Sequence, residues 1–191
     1  LECRSLLALT SEGLVGTEEM FLYDILRFKG EILNALGRFE EAKSIYKQVM
    51  DNAMVPWARM GLAISLRGLD ELAAAEELGS ALIEEFPEYL AAYDFVASVR
   101  EEMGKLEEAQ AALQQASEIS PNNSIRQRLV GDIAVRNDDL SVAERAYGKV
   151  LERHRGSSLR VIDDYTNLTR VMLDQGHTDG AKMITQELRR D

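Results

Sequence analysis

A period of 34 residues constrains this chain more than any single motif. Pro87 and Pro121 stand 34 residues apart, as do Ala109 and Ala143, and Gly104 and Asp138. A fixed period of this size signals a stack of similar supersecondary units. Within each interval the apolar residues follow two helical stripes separated by a short turn. Ala, Leu and Glu dominate, and β-branched residues do not cluster in alternating runs, so helix is predicted almost throughout. The small residues have a physical purpose: antiparallel helices approach closely only where side chains are short, and large neighbours fill the flanking grooves.

The third interval displays the pattern best. Tyr93 takes the large position of the first helix, followed by Val96 and Ala97. Gly104 supplies the left-handed turn, Ala109, Leu113 and Ala116 line the second helix, and Pro121 ends the unit. Glu107 and Glu108 favour the positive end of that second helix, as Glu40 and Glu41 do in the first copy of the pattern. These offsets resemble the tetratricopeptide repeat (TPR). The first copy carries Leu26, Gly30, Gly37, Ala42, Tyr46 and Val49. The second places Trp57, Met60, Gly61 and Ile64 in pattern, with Gly68 read as its turn and the signature alanine at Ala73 or Ala74. The fourth has Gly131, Ala143, Tyr147, Val150 and Leu151. The fifth has Tyr165, Leu168, Met172, Gly176, Ala181 and Leu188, after an insertion near "RHRGSS".

The resemblance implies an all-α TPR superhelix (an α-solenoid) of about five helix-turn-helix repeats plus an N-terminal partial helix. The repeats are expected at about 20–54, 55–87, 88–121, 122–156 and 157–191, within an array covering 17–191. Residues 1–16 are expected to hold the end of a truncated upstream helical unit and a linker. Cys3, Leu6 and Leu7 form its apolar stripe, and "SEGLVGTEE" breaks it before Thr17 caps a new helix with Glu18 and Glu19 in the first turn. The start at Leu1 suggests a fragment.

Hydrophobic residues make up 46% and charged residues 29%, enough for a core and a solvated surface. The formal net charge of −11 has the wrong sign for a nucleic-acid footprint. The local spots "RQR" at 126–128 and "RHR" at 153–155 are read as solvated helix faces. A single cysteine forms no internal disulfide and points to a reducing compartment, expected to be the cytoplasm. No apolar run approaches membrane-spanning length.

Catalytic, cofactor and metal chemistry find no support in the pattern. The seven methionines sit mostly at apolar-face positions expected in the core. His154 and His177 lie at helix ends or turns without metal-ligand spacing. "GLVGT" at 13–17 lacks the lysine and the strand of a phosphate loop. No motif draws a serine, a histidine and an aspartate together. The chain is therefore read as non-catalytic, with no cofactor.

Stacked helix pairs offer a concave face lined by the first helix of each repeat. The residues projecting from it are the candidate partner-binding set: Arg27, Glu31, Asn34, Asp94, Ser98, Arg128, Asp132 and Arg170. Their mixed signs suit a protein or peptide with charges of its own. Arg128, read as exposed, is expected to tolerate reversal to glutamate with little loss of stability. Gly61→Leu is expected to overpack a helix pair. Carboxylate-gripping TPR proteins use lysine and asparagine where this chain has Arg27 and Glu31, which argues against a chaperone-tail receptor.

The stretches "RFKGEILNALGRFEEAKSIYKQV", "PWARMGLA", "AYDFVA", "AQAALQQASEISPNNSIRQRLVGDIA" and "DDYTNL" look like bacterial response regulators in which TPRs follow a receiver domain. That resemblance implies an upstream receiver, whose phosphoacceptor aspartate lies outside this sequence. It also implies an output role in two-component phosphorelay signalling, binding a protein partner on the concave face. The alternative is a constitutive scaffold or assembly factor acting as a homodimer.

Overall fold

The computed structural model describes residues 13–154 and 161–190, with side chains for 21–154 and 161–189. Among the described residues there are ten α-helices and no strand: α1 (Gly13–Ala35), α2 (Phe39–Met50), α3 (Pro56–Gly68), α4 (Leu72–Glu85), α5 (Leu90–Glu102), α6 (Leu106–Ile119), α7 (Ser124–Arg136), α8 (Leu140–His154), α9 (Ile162–Asp174) and α10 (Thr178–Arg190). They form two compact units, one ending at Pro87 and the other starting at Glu88. The first holds two helix pairs and the second holds three.

One turn chemistry recurs in all five pairs. The left-handed residues are Gly37, Asp70, Gly104, Asp138 and Gly176, with φ between 58° and 78°. In each turn the next amide bonds a carbonyl five residues back: Arg38 to Leu33, Glu71 to Leu66, Lys105 to Arg100, Asp139 to Ala134 and His177 to Met172, at 2.7–2.9 Å. This is the Schellman closure, which satisfies carbonyls that a helix end would otherwise orphan. Aspartate tolerates the left-handed region better than most residues, so two turns work without glycine.

That finding corrects the second repeat. Gly68 is the last residue of α3, not the turn, and a Cβ there would run into the Phe39 ring. The turn residue is Asp70, which restores the regular period. The signature alanine moves accordingly from Ala73 or Ala74 to Ala75, which is fully buried as Ala42, Ala109 and Ala143 are. Thr17 is not a cap either, because α1 already runs from Gly13. Glycine in a helix costs about 1 kcal/mol relative to alanine, too little to end one alone. The expected helix end at 1–8 lies outside the described residues, as does the insertion expected near "RHRGSS" beyond His154.

In the first unit, the α2 side chain Tyr46 is 1% exposed and fills the space between α1 and α3. A Cβ on Gly30 would come within 2.6 Å of its ring, and one on Gly61 would enter the ring itself. Trp57 meets Tyr46 edge-on with ring centroids 6.5 Å apart. In the second unit Ala97, Ala109, Ala112, Leu113, Val130, Ile133 and Ala146 form one core cluster. A second contains Ala134, Tyr147, Leu151, Tyr165, Leu168 and Val171. Here Gly131 plays the close-approach role beneath Tyr147. Met60 joins the core, but Met54 and Met183 are largely exposed, contrary to the expectation from their spacing.

Polar side chains tie consecutive pairs together. Asp139 caps α8 by accepting from the Val142 amide at 3.2 Å, and also accepts from Gln110 on α6 at 2.9 Å. The Gln110 bond, with the Val142 and Ser141 donors, holds the Asp139 carboxyl below its usual range. Asp139→Ala should therefore destabilise by about 1–2 kcal/mol, the usual loss of an N-cap. The carboxylate contributes only while ionised, so the gap between wild type and variant should narrow as the pH falls through its depressed folded-state value. Urea titrations at pH 7 and pH 3 check both the size and the sign.

Candidate partner-binding face

The first helices of the three pairs in the second unit, α5, α7 and α9, carry most of the candidate residues. α7 starts where the Asn123 side chain accepts from the Arg126 amide, and α9 opens with Asp163 and Asp164 in its first turn. Between α7 and α9 lies a cavity of about 430 Å³. Leu129, Ile133 and Val135 give it apolar walls, with Glu101, Asp132, Arg136, Asn167 and Arg170 as its charged and polar groups and Tyr147 from α8 as another lining residue. The Tyr147 hydroxyl donates to Asp132 Oδ1 at 2.6 Å. Burial, and then that carboxylate, push its pKa well above the ordinary phenol value. Tyr147 is thus a fixed neutral donor that orients Asp132. Arg136 is engaged by Glu101, with Nη1 donating at 2.7 Å. Arg170 is exposed and makes no hydrogen bond or ion pair among the described residues.

The eight candidate residues divide. Asp132 and Arg170 share the cavity. Asp94 is a structural acceptor, taking two hydrogen bonds from Arg126 at 3.0 and 2.7 Å. Ser98 is half-buried on α5. Arg128 is bound at 2.6 and 2.7 Å to Asp164, a residue only 2% exposed. In the other unit, Arg27 pairs with Glu31 at 2.8 Å and lies 5.9 Å from the Trp57 ring centroid. Asn34 is half-buried there, donating to the Gly61 carbonyl at 3.1 Å and accepting from Ser65 at 2.8 Å. It joins α1 to α3 and is engaged before any partner arrives.

The "RQR" spot is consequently no solvated face: Arg126 is 6% exposed, and Arg128 closes on a buried acid. The hydrogen bond to Asp94 raises the Arg126 pKa, and that to Asp164 raises the Arg128 pKa. Each arginine meets an opposite charge about one repeat away, a periodic signal present in the sequence.

The structure also brings together a serine, a histidine and an aspartate that no motif had joined. Ser124 Oγ lies 3.0 Å from His154 Nε2, and His154 Nδ1 lies 3.6 Å from Asp164 Oδ2. A nucleophile relay needs the aspartate to accept from the histidine, but 3.6 Å is too long and Nδ1 has no hydrogen-bond partner. Asp164 is already neutralised by Arg128. The cluster therefore acts as a clasp joining the start of α7, the end of α8 and the start of α9. No group of residues that could hold a metal occurs among the described residues, and no helix there is long and apolar enough to cross a membrane.

Comparison with known proteins fits this geometry. Two models of the tetratricopeptide repeat match, one at residues 24–53 and 90–123, the other at 56–78. No curated protein matches the sequence significantly. Among solved structures, MamA superposes with a TM-score of 0.68 at 18% identity, over 86% of this chain and 88% of that one. MamA 41-end from Desulfovibrio magneticus RS-1 gives 0.67 at 15% identity, over 87% and 93%. A thermophilic TPR protein of Thermus thermophilus gives 0.56 at 22% identity, over 87% and 90%. The chain is an all-α protein carrying tetratricopeptide repeats, with the fold of the solenoid proteins built from them.

Proposed function

We propose that the chain is a non-catalytic protein-interaction module that holds a peptide segment in the α7–α9 cavity. The observation that carries this reading is Arg170: a guanidinium without an ion pair among the described residues, sharing one cavity with apolar Leu129 and Val135 and with an oriented Asp132. Such a site suits a segment with an apolar residue next to an acidic one, because burying the apolar side chain strengthens the ion pair beside it. The overall acidity of the chain makes Arg170 a local exception, which favours register and selectivity over raw affinity.

The test is a peptide array of apolar–acidic sequences followed by calorimetric titration of the best binder. Arg170→Glu should weaken that binder by about tenfold or more while leaving stability within about 0.5 kcal/mol. Unchanged affinity would remove the cavity from the binding surface.

A finer reading makes this module the output region of a receiver-linked response regulator, with phosphorylation upstream changing access to the cavity. It rests on the sequence stretches that resemble that family. Partner capture by the full-length protein, with and without a phosphoryl mimic on the receiver, tests it; equal capture counts against it. The second reading, a scaffold that assembles with itself, is favoured by a different surface on α1.

A further inference from the structure

Helix α1 is apolar on two opposite sides. One side, with Leu33 and Gly30, is buried against α2 and α3. The other is left uncovered by the described residues: Phe21, Ile25, Phe28 and Ile32 recur at alternating steps of four and three residues and are 67%, 48%, 62% and 59% exposed. Leu22 and Leu36 beside them are 52% and 65% exposed. A surface helix keeps its outward face polar, and a helix apolar all round is a buried one. Together the six residues expose about 700 Å² per chain, taking roughly 200 Å² for a fully exposed large apolar side chain. That is larger than the largest apolar patch on a typical monomer, about 300–600 Å².

We infer that this stripe is a self-association surface, on which α1 pairs in parallel with α1 of a second copy. Two copies would bury about 1,400 Å² in total, within the standard range for a stable protein–protein interface. The spacing places Ile25 and Ile32 at the a positions of a heptad, with Phe21 and Phe28 at d. β-Branched isoleucine at a is the choice of parallel two-stranded pairs, with phenylalanine here in place of their usual leucine at d. Charge sets the orientation. Asp24 falls at g and Lys29 at the following e, and both are exposed without an ion pair among the described residues. In a parallel pair each Asp24 meets the partner's Lys29, twice by symmetry. In an antiparallel pair g faces g, which sets Asp24 and Glu31 carboxylates against each other.

This inference is independent of the cavity reading, since its readout is mass rather than peptide affinity. Sedimentation velocity of the 191-residue chain across a concentration series should show a monomer–dimer equilibrium. Phe28→Glu should weaken it by at least about 30-fold, as loss of a central interface anchor does. Its melting, compared with wild type at a concentration where both are monomeric, should stay unchanged, and Ile25→Glu serves as the second variant if it does not. Asp24→Lys and Lys29→Asp should each weaken the dimer, and the two together should restore it. A wild-type chain that is monomeric at about 100 μM, a dimer indifferent to both glutamate variants, or failure of the double swap to restore pairing would overturn the proposal.

Discussion

Gly61→Leu should lower the thermal midpoint by about 6–10 °C, the shift that follows from about 3 kcal/mol in a chain of this size. The cause is local. A Cβ at position 61 would enter the Tyr46 ring, and Tyr46 cannot retreat because a Cβ on Gly30 would already meet it from α1. The ring is 1% exposed and sits edge-on to Trp57, so no solvent-facing rotamer is open to it without uncovering the core. Gly61→Ala should cost less than leucine but remain clearly destabilising. Combining it with Tyr46→Ala should be strongly sub-additive, because one variant removes what the other strikes. Circular dichroism melts of wild type, the two single variants and the double variant check this; additivity would show that the helices do not close on that ring.

Arg128→Glu should destabilise by about 3 kcal/mol or more, the range for breaking a buried ion pair. Asp164 is almost fully buried, accepts two hydrogen bonds from Arg128 and has His154 Nδ1 at 3.6 Å. Reversal would aim a second carboxylate at an acid with no route to water. Read from sequence alone, position 128 is an exposed residue whose reversal costs little; the ion pair reverses that expectation. Arg128→Met with Asp164→Leu should recover much of the loss, since an apolar pair of similar volume often replaces a buried ion pair without penalty. Urea unfolding of the single and double variants checks both parts.

What was legible in the sequence were features that repeat. The helical pairs show because small residues and large aromatics recur with the period, as at Ala109 and Ala143 or Tyr46 and Tyr147. What was not legible were substitutions that perform one job with another residue. Asp70 and Asp138 make the turn that glycine makes elsewhere, so a reading keyed to glycine took Gly68 instead and misplaced the alanine behind it. The candidate face was partly legible for a related reason. A charged residue on the first helix has two possible partners, a ligand or the next repeat. Arg170 and Asp132 reach the cavity, while Arg128 and Asp94 are taken by neighbours 36 and 32 residues away. Ser124, His154 and Asp164 had no marker, because their meeting depends on how α7, α8 and α9 stack.

The Arg128–Asp164 clasp also bears on how a peptide would enter. It joins α7 to α9 about one to two turns from Asp132 and Arg170, so the two walls are spaced before a partner arrives. The entropy of ordering those walls is already met during folding, and the remaining cost of association falls on the incoming segment. Cavity width is then inherited from an ion pair that touches no ligand. A segment too bulky for that spacing would be turned away by a bond it never meets.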